Sequence, residues 1–128
     1  MKKILVISIA VIIIIIGFVL AVNFNVIPKK EYGEYDKFVI CLKSSGAKLY
    51  GDYANSDTLK QMSFLGDSYQ MLIDTNIYIE CNRYGYNPKT DKCKEEGITG
   101  YPTWVIKGNK YAGIQGLNKL SSLTGCKS

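Results

Sequence analysis

The residues best equipped for chemistry in this 128-residue chain are four cysteines, Cys41, Cys81, Cys93 and Cys126. Thiols serve as disulfides, metal ligands or exchange nucleophiles, and spacing helps to decide among these. With no histidine and no C-x-x-C pair, a zinc site is disfavoured, and no metal is expected. A Ser-His-acid arrangement is impossible for the same reason. No glycine-rich phosphate loop precedes a helix, so no cofactor is implied. Asp52 and Asp57 could suggest paired-carboxylate chemistry, but turn and helix-cap roles explain both better. An even number of cysteines in an oxidising compartment argues for two disulfides, and three connectivities are open.

The compartment is set by the N-terminus. Residues 4–22, ILVISIAVIIIIIGFVLAV, carry no charge, and as a helix would be roughly 28 Å long, enough to cross a hydrocarbon core. Lys2 and Lys3 precede this run and no charge follows it closely, which keeps residues 1–3 cytoplasmic and sends the rest across. The expectation is a single-pass membrane protein with an extracytoplasmic C-terminal domain. The alternatives are secretion after signal cleavage near Val19-Leu20-Ala21, although the run is long for a signal peptide, and a buried core helix. Beyond residue 22, basic residues exceed acidic ones by only three and are interspersed with them, too mild a balance to argue for nucleic-acid binding, and no nucleic-acid partner is expected.

A short polar linker is expected over residues 23–33, with Pro28 and Gly33, followed by one domain over residues 34–128. Tyr35, Phe38, Val39 and Leu42 recur at helical spacing, with Cys41 near the helix end and Gly46 stopping it. Residues 47–50 suit a short strand. Ser56 or Asp57 can cap a second helix through Leu59, Met62, Phe64 and Leu65, bent at Gly66-Asp67 before Tyr69, Met71 and Leu72. Residues 76–81 alternate as a strand, and residues 92–96 suit a turn or two of helix before Gly97. Residues 102–106 and 110–112 suit two strands joined at Gly108-Asn109, and Leu117, Leu120 and Leu123 line a last helix ending near Gly125. The order α-β-α-β-α-β-β-α implies an α/β domain with a central mixed sheet.

That order, with Gly100-Tyr101-Pro102-Thr103-Trp104, resembles the thioredoxin fold. More narrowly, FVICLKSSGAKLYGDY, GITGYPTW and the closing LSSLTGC resemble the thioredoxin-like domains found free or fused to prokaryotic vitamin K epoxide reductase homologues, over roughly residues 36–126. The resemblance implies thiol-disulfide oxidoreductase activity from a CPHC-like motif after the first strand. Here Tyr53 is followed by Ala54-Asn55-Ser56-Asp57, with alanine at the attacking cysteine's position and aspartate at the resolving one's. Exchange needs both thiols, so the catalytic set is empty at this degenerate site.

The resemblance also implies a cis Tyr101-Pro102 bond facing the Tyr53 loop, where Tyr53, Tyr101 and Pro102 could bind an extended peptide without reacting with it. It favours the pairs Cys81-Cys93 and Cys41-Cys126. The first closes a 13-residue loop worth about 3 kcal/mol. Trp104 is expected in the core. The leading expectation is therefore a redox-inactive module that binds an exported protein, extended peptide or membrane redox protein. The alternatives are exchange through Cys81-Cys93, or an active family member whose CxxC cysteines have been substituted.

Overall fold

The computed structural model describes residues 2–23 and 30–128; within its first helix, side chains are described for Lys3 and residues 6–19. Met1 and residues 24–29, most of the expected linker with Pro28, lie outside the described residues. The chain forms two compact units, Met1–Lys30 and Glu31–Ser128.

In the first unit, helix α1 (Lys2–Asn23) takes in the whole apolar run. Its described apolar side chains are exposed, Phe18 and Ile14 among them. Among the described residues, no helix is long and apolar enough to cross a membrane. The structure thus supports a helix at residues 4–22 but not a span.

The second unit begins at Glu31, so the end of the expected linker belongs to the fold. Asp36 opens helix α2 (Asp36–Ser44) and its carboxylate accepts hydrogen bonds from the Tyr32 and Gly33 amides, each at 2.9 Å. The buried Ser68 hydroxyl donates to the same carboxylate at 2.7 Å and accepts from the Tyr35 amide at 3.0 Å. Strand β1 (Lys48–Gly51) follows, then α3 (Ser56–Ser63), a 3-10 turn at Gly66–Ser68 and α4 (Tyr69–Asp74). Gly66, at φ +49, supplies the bend expected there. Strand β2 (Tyr78–Glu80), helix α5 (Thr90–Glu95), strands β3 (Thr103–Ile106) and β4 (Asn109–Ala112) and helix α6 (Leu117–Thr124) complete the chain.

The four strands form one mixed sheet in the order β2-β1-β3-β4, with β1 parallel to β2 and antiparallel to β3. The β3–β4 turn is Lys107-Gly108, not Gly108-Asn109, because Ile106 pairs with Asn109 and the two residues between them both have positive φ. Positive φ at both central positions is the conformation of a type I′ turn, whose twist matches that of the flanking strands.

Alternation along the strands sends side chains to two faces. Leu49 and its partner Trp104 join Phe38, Leu42, Leu72 and Leu120 in the main core, where Trp104 is fully buried. Its indole N–H makes no hydrogen bond among the described residues. On the opposite face Tyr50, Ile79 and Val105 pack with Cys81 and Cys93. Leu59, expected on the apolar side of α3, is 54% exposed. Met62 is buried as expected, and Thr58 and Gln61 are buried beside it, each with a hydrogen-bonding task.

Candidate functional site

Sheet topology gathers the candidate residues at one end. The C-terminal ends of parallel β1 and β2 lie beside the start of antiparallel β3, since Tyr50 pairs with both Ile79 and Thr103. The segments leaving β1 (Asp52–Asn55), leaving β2 (from Cys81) and entering β3 (Gly100–Pro102) therefore meet there. In open α/β sheets this is where ligands bind.

The loop after β1 is locally determined. Gly51 is required because a Cβ there would stand 2.6 Å from Thr58 Cγ2 and 2.7 Å from the Tyr78 ring. Asp52 makes the turn: its carboxylate accepts from the Ala54 amide at 2.8 Å, and its carbonyl accepts from the Asn55 amide at 2.9 Å. Helix α3 is capped by Asn55, not by Ser56 or Asp57. Asn55 is extended, and its side-chain oxygen accepts from the amides of Asp57 and Thr58, both at 3.0 Å. Asparagine is among the best residues for this task, which leaves Asp57 free to complement the helix dipole from the first turn. Tyr53, Ala54 and Asp57 are all exposed, and neither Ala54 nor Asp57 carries a thiol.

Across from this loop the Tyr101-Pro102 bond is cis, Pro102 is buried and the Pro102 carbonyl accepts from the Gly113 amide at 2.8 Å. Tyr101 is half-buried; burial first, then the charges of Asp52 and Glu80, push its phenol pKa above the usual value. Tyr53 and Tyr101 thus share one end of the sheet but line different cavities, of about 330 Å³ and 230 Å³ respectively.

The cysteines pair as Cys41-Cys126 and Cys81-Cys93. Cys41-Cys126 fastens α2 to the segment after α6. Cys81-Cys93 joins the end of β2 to α5, and both cysteines, though buried, are among the residues lining the 230 Å³ cavity, with Arg83, Lys94 and Tyr101.

Glu80 escaped sequence reasoning. Its strand alternates as an ordinary half-buried strand, yet Glu80 is only 4% exposed. Its carboxylate accepts from the Tyr78 hydroxyl at 2.8 Å and from the Asn82 amide at 2.7 Å. Asn82 in turn donates from its side chain to Asp52 at 3.0 Å, joining the two loops. Tyr78 has a phenol pKa raised by burial, by the Glu80 hydrogen bond and by the neighbouring negative charges. A further omission is the exposed pair Tyr84 and Tyr86, which no periodicity marks because both lie in a loop.

A thioredoxin-like α/β domain stapled by two disulfides is the class that this sheet order, cis proline and cysteine pairing define. No family model matches the chain. Among curated proteins it is similar to the thiol-disulfide oxidoreductase LTO1 of Arabidopsis thaliana, with 33% identity over 87 residues, or 66% of this chain. The aligned part spans 22% of that relative's length. The likeness and the two disulfides fit a thioredoxin-like redox family.

Proposed function

We propose that the protein is a membrane-anchored, extracytoplasmic thioredoxin-like module, redox-inactive at its usual loop, that binds an exported protein or extended peptide. A membrane redox protein is one such partner. The observation that carries this reading is the pairing of a cis Tyr101-Pro102 segment with a loop whose attacking position is Ala54. The exposed apolar side chains of α1 between Val6 and Val19 support the anchor, since such a surface favours an apolar surrounding. The two disulfides support an oxidising compartment.

The second reading is thiol-disulfide exchange through Cys81-Cys93, favoured by the cavity that both cysteines line together with Arg83 and Lys94. A partner's thiolate would attack one sulfur, forming a mixed disulfide and releasing the other as a thiolate. A second partner thiol would then resolve the mixed disulfide, leaving the partner oxidised and Cys81 and Cys93 reduced. Basic neighbours favour such a released thiolate.

Redox titration of the full chain, with disulfides mapped at each potential, separates the readings. Bridges that resist reduction below about −300 mV support a binding module. A Cys81-Cys93 bridge that opens reversibly between about −120 and −230 mV brings the exchange reading forward. Failure of extended peptides and of exported or membrane redox proteins to bind above background would remove the binding reading.

A further inference from the structure

The cavity beside Tyr53 has an unusual lining. Five of its walls are tyrosines, Tyr53, Tyr69, Tyr78, Tyr84 and Tyr86, and Glu80 borders the same space. The remaining lining is apolar or glycine, and no lysine or arginine contributes to it. Its volume of about 330 Å³ suits a small organic group. Four of the tyrosines are exposed, from 40% at Tyr69 to 86% at Tyr86, so the cavity opens to solvent.

Charge makes the lining specific. Glu80 is buried and makes no ion pair among the described residues; its two hydrogen bonds come from neutral donors, Tyr78 and the Asn82 amide. Tyrosine rings present electron-rich faces that attract cations. Tyr84 already attracts one from within the chain, with the Arg83 guanidinium carbon 5.8 Å from its ring centroid. Apolar walls favour an apolar stem, aromatic faces attract positive charge, and a buried carboxylate adds to the attraction. A neutral apolar ligand would use only the first of these, and an anion would be repelled by Glu80.

The loop architecture preserves the arrangement. Gly85 approaches so closely that a Cβ there would lie 2.5 Å from the Glu80 Cγ and Cδ atoms. The Asn82 side chain accepts from the Tyr84 amide at 2.9 Å, and the Asn82 carbonyl accepts from the Gly85 amide at 3.0 Å. The segment carrying Tyr84 and Tyr86 is thus folded onto Glu80, inside the loop that Cys81-Cys93 closes.

We propose that this cavity binds an organic cation, an alkylammonium or guanidinium head on an apolar stem, between the five tyrosines and Glu80. The cation could be a small quaternary ammonium compound or a lysine or arginine side chain presented by a protein. The proposal shares Tyr53 with the peptide-binding reading but does not depend on it.

The test is a titration of the full chain in neutral maltoside micelles, followed by tyrosine ring resonances. The probes are choline, its uncharged isostere 3,3-dimethylbutanol, and short glycine peptides carrying one lysine, one arginine or neither. Choline or the basic peptides should saturate the site about tenfold more tightly than their neutral counterparts. Choline binding best indicates a small-molecule ligand, whereas preference for a basic peptide indicates a protein partner. Tyr84→Leu and Tyr86→Leu, at exposed positions, should each weaken binding about fivefold with an unchanged circular dichroism spectrum. Glu80→Gln should weaken it further, and its unfolding midpoint checks that the domain remains folded. Equal binding of cation and isostere, or no binding by either cation class, overturns the proposal. Peptides that bind regardless of charge would leave the peptide-binding reading standing while removing this one.

Discussion

Gly85 sits where any side chain would collide with Glu80: a Cβ would come within 2.5 Å of both Cγ and Cδ and 2.8 Å of a carboxylate oxygen. Gly85 does not have the positive φ that often explains a glycine, so close approach is the reason for it. Gly85→Ala should therefore destabilise the domain by about 1–3 kcal/mol through overpacking. The cost should shrink in a Glu80→Ala background, a coupling that a double-mutant cycle in urea would measure. An equal cost in both backgrounds would mean that Glu80 is not the obstacle.

Gln61 holds the backbone of Gln115 from both sides. Its amide nitrogen donates to the Gln115 carbonyl at 3.0 Å and its oxygen accepts from the Gln115 amide at 2.6 Å, from a residue 1% exposed. Replacing Gln61 with Leu leaves two polar backbone groups without these partners. A loss of about 2–4 kcal/mol is expected in the unfolding free energy, with the β4–α6 connection showing faster amide exchange.

The two bridges should differ in their contribution. Cys41-Cys126 spans 85 residues and Cys81-Cys93 spans 12, so the chain-entropy estimate gives about 4.5 and 3 kcal/mol respectively. Paired Cys→Ser variants, compared by denaturant unfolding, should lose stability in that order. A Cys81→Ser/Cys93→Ser protein should also show greater mobility at Tyr84 and Tyr86, which lie within the closed loop.

Alkaline pH should weaken the fold through its tyrosines. The phenols of Tyr78, Tyr101 and Tyr50 have pKa values raised above the usual 10.0, with burial the leading cause in each. Above that value the unfolded chain releases these protons while the folded one keeps them, so stability is intact below pH 10 and falls as pH rises beyond it. Phenolate absorbance should show late-titrating tyrosines in the folded protein. Tyr78→Phe should flatten the loss of stability with pH, whereas a slope unchanged by this substitution would assign the effect elsewhere.

Restoring thiols to the loop tests whether only the nucleophiles are missing. Asn55 caps α3 and places Asp57 in its first turn, where a thiolate would meet the positive end of the helix dipole. Ala54→Cys/Asp57→Cys should reduce a model disulfide with added dithiol at a rate about tenfold or more above the unsubstituted chain. No gain in a folded double variant would show that the loop geometry itself is unsuited to exchange.

Much of this protein was legible in the chain because local pattern and torsion preference act over short stretches. Apolar spacing marked α2 and α6, β alternation marked β2, and the residues from Gly100 to Trp104 marked the entrance to β3. Sequence alone places the α3 cap and the β3–β4 turn a residue or two from Asn55 and Lys107-Gly108, because several good capping and turn residues stand side by side. Only hydrogen bonding and strand register choose among them.

What the sequence by itself determined is an apolar helix-forming N-terminus, an α/β domain of thioredoxin-like order, and a loop with no thiol at Ala54 or Asp57. The tertiary structure alone decided that Glu80 is buried, that Gln61 rather than Leu59 faces inward, and that distant tyrosines surround one cavity. These depend on segments far apart in the chain coming together, as when Tyr53 and Tyr84 line one cavity or Gln61 meets Gln115 through paired hydrogen bonds. Periodicity reports how a residue relates to its near neighbours; burial and charge balance depend on what the folded chain brings against it.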